Sequence, residues 1–143
     1  MESNTPIRIL VVDDHDPFRR FVVSALAGQE NLQVIGEVKD GLQAVQQAEI
    51  LQPDMILLDI GLPGLNGIEA ASQIRQVASD ARIIFVTQEA SPEVVQKAFR
   101  LGAWGYVIKA RAGAELLAAV QAVSQGRQFF SDGLGGHAKL PTA

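Results

Sequence analysis

Four short runs of branched apolar residues constrain this chain most: IRILVV (7–12), MILL (55–58), RIIFV (82–86) and YVI (106–108). A strand wetted on one face alternates apolar and polar residues. A near-continuous apolar run instead predicts a strand buried on both faces, as in a parallel sheet covered by helices. A fifth run, LQVIGEV (32–38), is weaker and more polar, which suits a strand near an edge. Helical patterns fill the gaps. Pro17 in a first turn, with Asp16 as its cap, opens one, and Phe18, Phe21, Val22 and Ala25 fall on one face. Leu42, Val45 and Ala48 mark a second before Pro53; Ile68, Ala71, Ile74 and Arg75 lie in a third. Ser91-Pro92 caps and opens a fourth through Val94, Val95, Ala98 and Leu101, which Gly102 ends. Glu115 to Gln125 make a fifth, with Leu116, Leu117, Val120 and Val123 as its apolar face.

This alternation predicts an α/β domain, a doubly wound parallel sheet of five strands with five helices joined by right-handed crossovers, for which the flavodoxin-like order 2-1-3-4-5 is one common arrangement. The length of 143 residues suits one such domain, and a hydrophobic fraction of 48% is far above that of disordered chains. The expected boundaries are a domain over 1–132 and a flexible tail or linker start over 133–143, where glycine and small polar residues gather. No apolar run approaches the ~18 residues of a membrane span, and the polar MESNTPIR start shows no secretory signal. The absence of cysteine excludes a disulfide framework and thiolate metal sites, and fits a cytoplasmic protein. A net charge of −4 disfavours direct binding to a nucleic-acid backbone.

The first strand ends in Asp13 and Asp14, with Asp16 two residues on; the third ends in Asp59, the fourth in Thr87 and the fifth in Lys109. In open parallel sheets, ligands bind beyond the carboxyl ends of the strands, where strand order reverses. For the order 2-1-3-4-5 that point lies between strands one and three, so two separate strands deliver carboxylates to one crevice. Carboxylates that close repel one another unless a cation joins them. Oxygen-only ligation by few protein donors suits Mg2+, which keeps several waters. Three aspartates, one divalent ion and Lys109 sum to zero charge, so the crevice is poised to receive an anion. A carboxylate beside a metal and a lysine is a plausible nucleophile toward phosphorus.

Together VVDD (11–14), LLDIGLPGLNG (57–67), FVT (85–87) and GAWGYVIK (102–109) resemble the CheY-like receiver domain of two-component response regulators, over roughly residues 6–130. The LGAWGYVIK segment and the small-residue-rich last helix look like the NarL/FixJ subgroup, which usually carries a DNA-binding helix-turn-helix after the receiver. The resemblance implies that Asp59 accepts a phosphoryl group from a sensor histidine kinase. It implies that Asp14 binds Mg2+ directly, that Asp13 acts mainly through water, and that the carbonyl of Gly61 is a backbone ligand. Lys109 would pair with one phosphoryl oxygen, Thr87 would swing to hydrogen-bond another, and Tyr106 would follow it inward as the switch aromatic. Output would pass through the fourth helix, fifth strand and fifth helix to an output domain or a homodimer partner. DNA contact would belong to an output domain outside these residues.

Two positions depart from the pattern. Gln88 stands where the family usually has a small residue, and it points either into the phosphoryl site or to solvent. Ala110 replaces a common proline, so a trans peptide is expected after Lys109, with a direct Lys109 contact less assured. His15 suits a partly exposed loop residue better than a magnesium ligand. Three rivals compete. A receiver fold that no longer uses phosphate would be a plain interaction module. A haloacid-dehalogenase-type phosphatase would use Asp14 as nucleophile and Asp16 as general acid, leaving Asp59 without a role. A flavin site lacks the expected phosphate loop after the first strand.

Overall fold

The computed structural model describes residues 5–131. The chain alternates strictly: β1 (Ile7–Val12), α1 (Asp16–Ala27), β2 (Leu32–Val38), α2 (Gly41–Leu51), β3 (Met55–Leu58), α3 (Gly67–Val77), β4 (Arg82–Thr87), α4 (Pro92–Arg100), β5 (Gly105–Ile108), a 3-10 turn (Lys109–Arg111), α5 (Ala112–Ser124) and β6 (Phe129–Phe130). All pairings are parallel, in the order β2-β1-β3-β4-β5-β6. The expected order is therefore found, with a sixth strand added beyond β5. Two residues are too few to show a period, which is why sequence patterning passes over β6. The expected tail over 133–143 lies outside the described residues.

The apolar runs are buried on both faces, and alternate residues serve opposite sides. Leu10, Val12, Ile56, Leu58, Phe85 and Tyr106 pack with α2, α3 and α4. Ile9, Val11, Met55, Leu57, Ile84, Val86 and Val107 pack with α1 and α5.

The helix ends differ from expectation at one point. The side chain that caps α1 is His15, whose Nδ1 accepts from the Phe18 N–H at 3.4 Å. Asp16 sits in the first turn, drawn away by Arg19 at 2.7 Å and Lys39 at 3.5 Å. On α2 the buried side is small, formed by Gly41, Ala44 and Ala48, and Leu42 faces solvent. The reason is close approach: a Cβ at Gly41 would fall 2.0 Å from the Leu65 carbonyl oxygen, so only small residues fit there. Ser91 caps α4 as expected, and Gly102 leaves it with φ +85°, a conformation that favours glycine.

Candidate functional site

Strand register sets the site. Val12 pairs with Leu58, and the Asp59 N–H donates to the Val12 carbonyl at 3.1 Å, so the residues after β1 and β3 leave the sheet side by side. Across β4, Thr87 pairs with Ile108, which delivers Lys109 to the same rim. Asp14, Asp59, Gly61, Thr87, Gln88 and Lys109 line a cleft of about 740 Å3, with Phe18 at its wall.

At its centre is a buried charge cluster. Lys109 Nζ lies 2.9 Å from Asp13 Oδ2 and 3.0 Å from Asp59 Oδ2, with all three side chains less than about one-eighth exposed. The ammonium also sits 4.8 Å over the Phe18 ring. Lys109 reaches both aspartates with Ala110 in place of proline, and the described residues contain no cis peptide. Asp13 Oδ1 accepts from the His15 N–H at 2.8 Å, and Asp59 Oδ1 accepts more loosely from the Gly61 N–H at 3.3 Å. Burial pushes the Asp13 carboxyl above the usual carboxylate range, against the pull of Lys109 and the His15 N–H. Burial also works against the charge of Lys109, but hydrogen bonds to Asp13 and Asp59 overcome it and leave the lysine above its ordinary value. The lysine is therefore a permanent cation at physiological pH.

Asp14 is exposed at the cleft mouth. Oxygens of Asp13, Asp14 and Asp59 lie within 4.8 Å of one another, all hard donors, with two of the three carboxylates buried. That donor set fits a small, oxygen-loving divalent ion. Asp16 does not line the cleft, and hydrogen bonding to Arg19, with Lys39 beside it, holds its carboxyl below the usual range. It is badly placed and badly tuned to be a general acid for Asp14.

Behind the cleft, Thr87 and Tyr106 meet at one backbone unit. The Glu89 N–H donates to Thr87 Oγ1 at 3.3 Å, and the Tyr106 hydroxyl donates to the Glu89 carbonyl at 2.6 Å. The tyrosine ring is already fully inside, and burial raises its phenol far above its ordinary value, so it remains a donor. Gln88 is exposed at the cleft rim, combining both orientations considered for it.

Several contributors escaped the sequence reading. Glu89 acts through its backbone, so its side-chain type carries no signal. Arg19 is buried and donates to the Asp13 carbonyl at 3.0 Å while its Nε meets Glu37 at 3.0 Å, tying the β1–α1 loop to β2. An arginine at the fourth position of α1, on its apolar side, was the available hint.

A doubly wound sheet with carboxylates from two strands and a buried lysine at its switch point defines an α/β domain built around an acidic, anion-receptive pocket. The response regulator receiver domain family matches residues 9–121, and the chain belongs to that family. It is 38% identical over 120 residues to the transcriptional regulatory protein LiaR of Bacillus subtilis, covering 84% of this chain and 57% of LiaR. It is 34% identical over 134 residues to the nitrate/nitrite response regulator NarL of Escherichia coli K12, covering 94% of this chain and 62% of NarL. The chain thus spans about 57–62% of the length of these two relatives. Among solved structures, a LuxR-family two-component response regulator from Aurantimonas sp. SI85-9A1 matches with TM-score 0.88 and 34% identity, over 94% of this chain and 96% of that one. The receiver domain of a NarL-type regulator from Mycobacterium tuberculosis matches with TM-score 0.81 and 32% identity, over 86% and 99% respectively. The domain is a two-component signalling receiver of the NarL and LuxR type.

Proposed function

We propose that Asp59 is the phosphoacceptor of this receiver, that a sensor histidine kinase is its donor, and that Mg2+ is required. The observation that carries this reading is the Lys109 bridge between Asp13 and Asp59 inside the cleft, with Asp14 at its mouth. Asp13, Asp14, Asp59 and the carbonyl of Gly61 would hold the ion, Asp13 mainly through water because Lys109 and His15 already occupy its two oxygens. Bound there, Mg2+ would offset carboxylate charge and polarise phosphoryl oxygens.

Asp59 Oδ2 is engaged by Lys109, so Oδ1 is the freer nucleophile. Its lone pair forms the new P–O bond as the P–N bond to the donor imidazole breaks, and the imidazole keeps that electron pair. The phosphoryl group adds charge and acceptor oxygens. Lys109 can answer one oxygen with a charge-assisted bond, and Thr87 can answer another once it leaves the Glu89 N–H. Since Tyr106 is bonded to the other side of Glu89, that exchange alters contacts on α4 and β5. The α4-β5-α5 surface would then act on an output domain or on a second copy of the chain, and DNA would be reached only through an output domain. The receiver assists its own phosphorylation and dephosphorylation and turns over no outside substrate. Asp16 bound to Arg19 weighs against the phosphatase alternative.

Intact-mass measurement after incubation with acetyl phosphate and Mg2+ tests the reading. The wild type gains one phosphoryl mass; Asp59→Asn and the Mg2+-free wild type gain none. A phosphoryl gain in Asp59→Asn, or none in the wild type, overturns it.

A further inference from the structure

Three consecutive residues at the end of the described chain line β5 and between them also reach α4 and α5. The Phe130 ring packs tilted against Phe99 of α4, ring centroids 4.1 Å apart. Phe129 and Phe130 pair with Gly105 and Tyr106 of β5, and the Ser131 N–H donates to the Tyr106 carbonyl at 2.8 Å. Ser131 then turns its hydroxyl inward. It donates to Glu115 Oε1 of α5 and accepts the Ile108 N–H at 3.0 Å. Glu115 is held in turn by Arg111 Nε at 2.8 Å. Ser131 is 4% exposed and Glu115 9%, so their contact lies inside the fold.

A hydroxyl has one proton to give and lone pairs to receive with. Here the proton goes to a carboxylate, which leaves the oxygen a strong acceptor for Ile108. Ile108 stands between Thr87, its partner on β4, and Ser131. It also directly precedes Lys109. The backbone that aims the lysine at Asp13 and Asp59 is therefore fixed on the outer side by a residue 22 positions later in the sequence.

We propose that Ser131 is a positioning residue for Lys109 and Tyr106, and that Phe129-Phe130-Ser131 forms a clasp holding the lysine-bearing wall of the cleft. The proposal rests on Asp59 being the phosphoacceptor. The clasp touches α4, β5 and α5 together, so a shift of Tyr106 or Lys109 is felt where the chain leaves β6.

The test follows acetyl-phosphate labelling by intact mass at saturating Mg2+ for wild type, Ser131→Ala, Ser131→Thr, Lys109→Arg and the double variant Ser131→Ala/Lys109→Arg. Displacing a reacting group by a fraction of an ångström predicts that Ser131→Ala slows labelling by about threefold or more. Ser131→Thr, which keeps the hydroxyl, restores the rate. Mg2+ affinity by calorimetry changes less than the labelling rate, because its ligands follow β1 and β3 while Ser131 contacts β5 and α5. In the Lys109→Arg background Ser131→Ala adds nothing further, as expected of residues acting through one group. Unchanged labelling of Ser131→Ala, equal slowing in both backgrounds, or a matching loss of Mg2+ affinity overturns the clasp. A wild type that takes no phosphoryl group overturns the Asp59 reading and the clasp with it; a labelled wild type beside an unaffected Ser131→Ala overturns the clasp alone. The wild type gives a second reading that needs no variant: beryllofluoride with Mg2+ slows hydrogen exchange of the Ile108 amide, and an unchanged exchange rate overturns the coupling.

Discussion

Asp13 carries a conflict between burial and charge. Its carboxylate is buried, lies beside Asp59, and is only partly compensated by Lys109 and the His15 N–H, so its pKa is raised above the usual 3.8. The sign for stability follows. A raised carboxyl pKa means that the charged form is disfavoured in the fold relative to the unfolded chain. That penalty is fully present above the folded pKa and disappears as pH falls through it toward 3.8. Asp13→Asn, which removes the charge at constant shape, is therefore expected to raise the urea midpoint of the Mg2+-free protein at pH 7. It should also reduce the further rise that Mg2+ gives the wild type. Paired urea titrations with and without Mg2+ check both signs; a lowered midpoint without the ion contradicts the electrostatic account. The residues of this cluster were legible because β-α alternation fixes where strands end, and Asp13, Asp14, Asp59, Thr87 and Lys109 all follow apolar runs. Glu89 and Ser131 were not, since each acts through backbone or buried contacts that no local pattern announces, and Arg19 offered only its place on the apolar side of α1.

At the scale of elements, the entry to α3 is the tightest joint near the site. A Cβ at Gly67 would lie 2.0 Å from the Asp59 carbonyl oxygen and 2.6 Å from the Ile60 Cα, both backbone atoms that cannot step aside. The Gly67 N–H also donates to the Ile60 carbonyl at 2.8 Å, so the loop carrying Asp59 is closed on the helix start. At Gly61 a Cβ would meet nothing within 4 Å. Gly67→Ala is thus expected to cost about 2–3 kcal/mol or more through forced backbone movement. Gly61→Ala should stay within roughly 0.5 kcal/mol of the wild type. Equilibrium denaturation of the two variants reads the contrast, and equal costs would contradict the geometry. The asymmetry between these glycines, six positions apart, could not be seen in LLDIGLPGLNG, because the backbone atoms that crowd Gly67 come close only in the folded loop. The elements themselves were legible because their apolar runs and Ser91-Pro92 cap are strong local signals. The α1 cap was misplaced because Asp16 is claimed by Arg19 and Lys39, which approach it only in the folded chain.

For the molecule as a whole, the question is how far one phosphoryl group can bias a two-state surface. Inverting a 1:99 equilibrium takes roughly 5.5 kcal/mol of differential affinity, while one hydrogen bond to a charged group contributes about 1.5–3 kcal/mol. Lys109 and Thr87 together come close; either alone falls short. Thr87→Ala is accordingly expected to keep phosphorylation on Asp59 while shifting the switching equilibrium back by about 10- to 150-fold. Hydrogen exchange over α4 and β5 after beryllofluoride addition reads this as a partial change where the wild type changes fully. A full change in Thr87→Ala would remove the threonine from the switch.

The two borders of the sheet carry a different consequence. Open strand borders invite neighbouring molecules to add strands of their own, a route to fibres. Here β2 is interrupted by a register shift beside Gly36, and β6 offers only two residues for pairing. Among the described residues, neither border presents a long straight ladder to a stranger. Crowded copies of this domain should therefore meet side by side through their helices, and stay dispersed at concentrations where a flat, open-bordered sheet would precipitate.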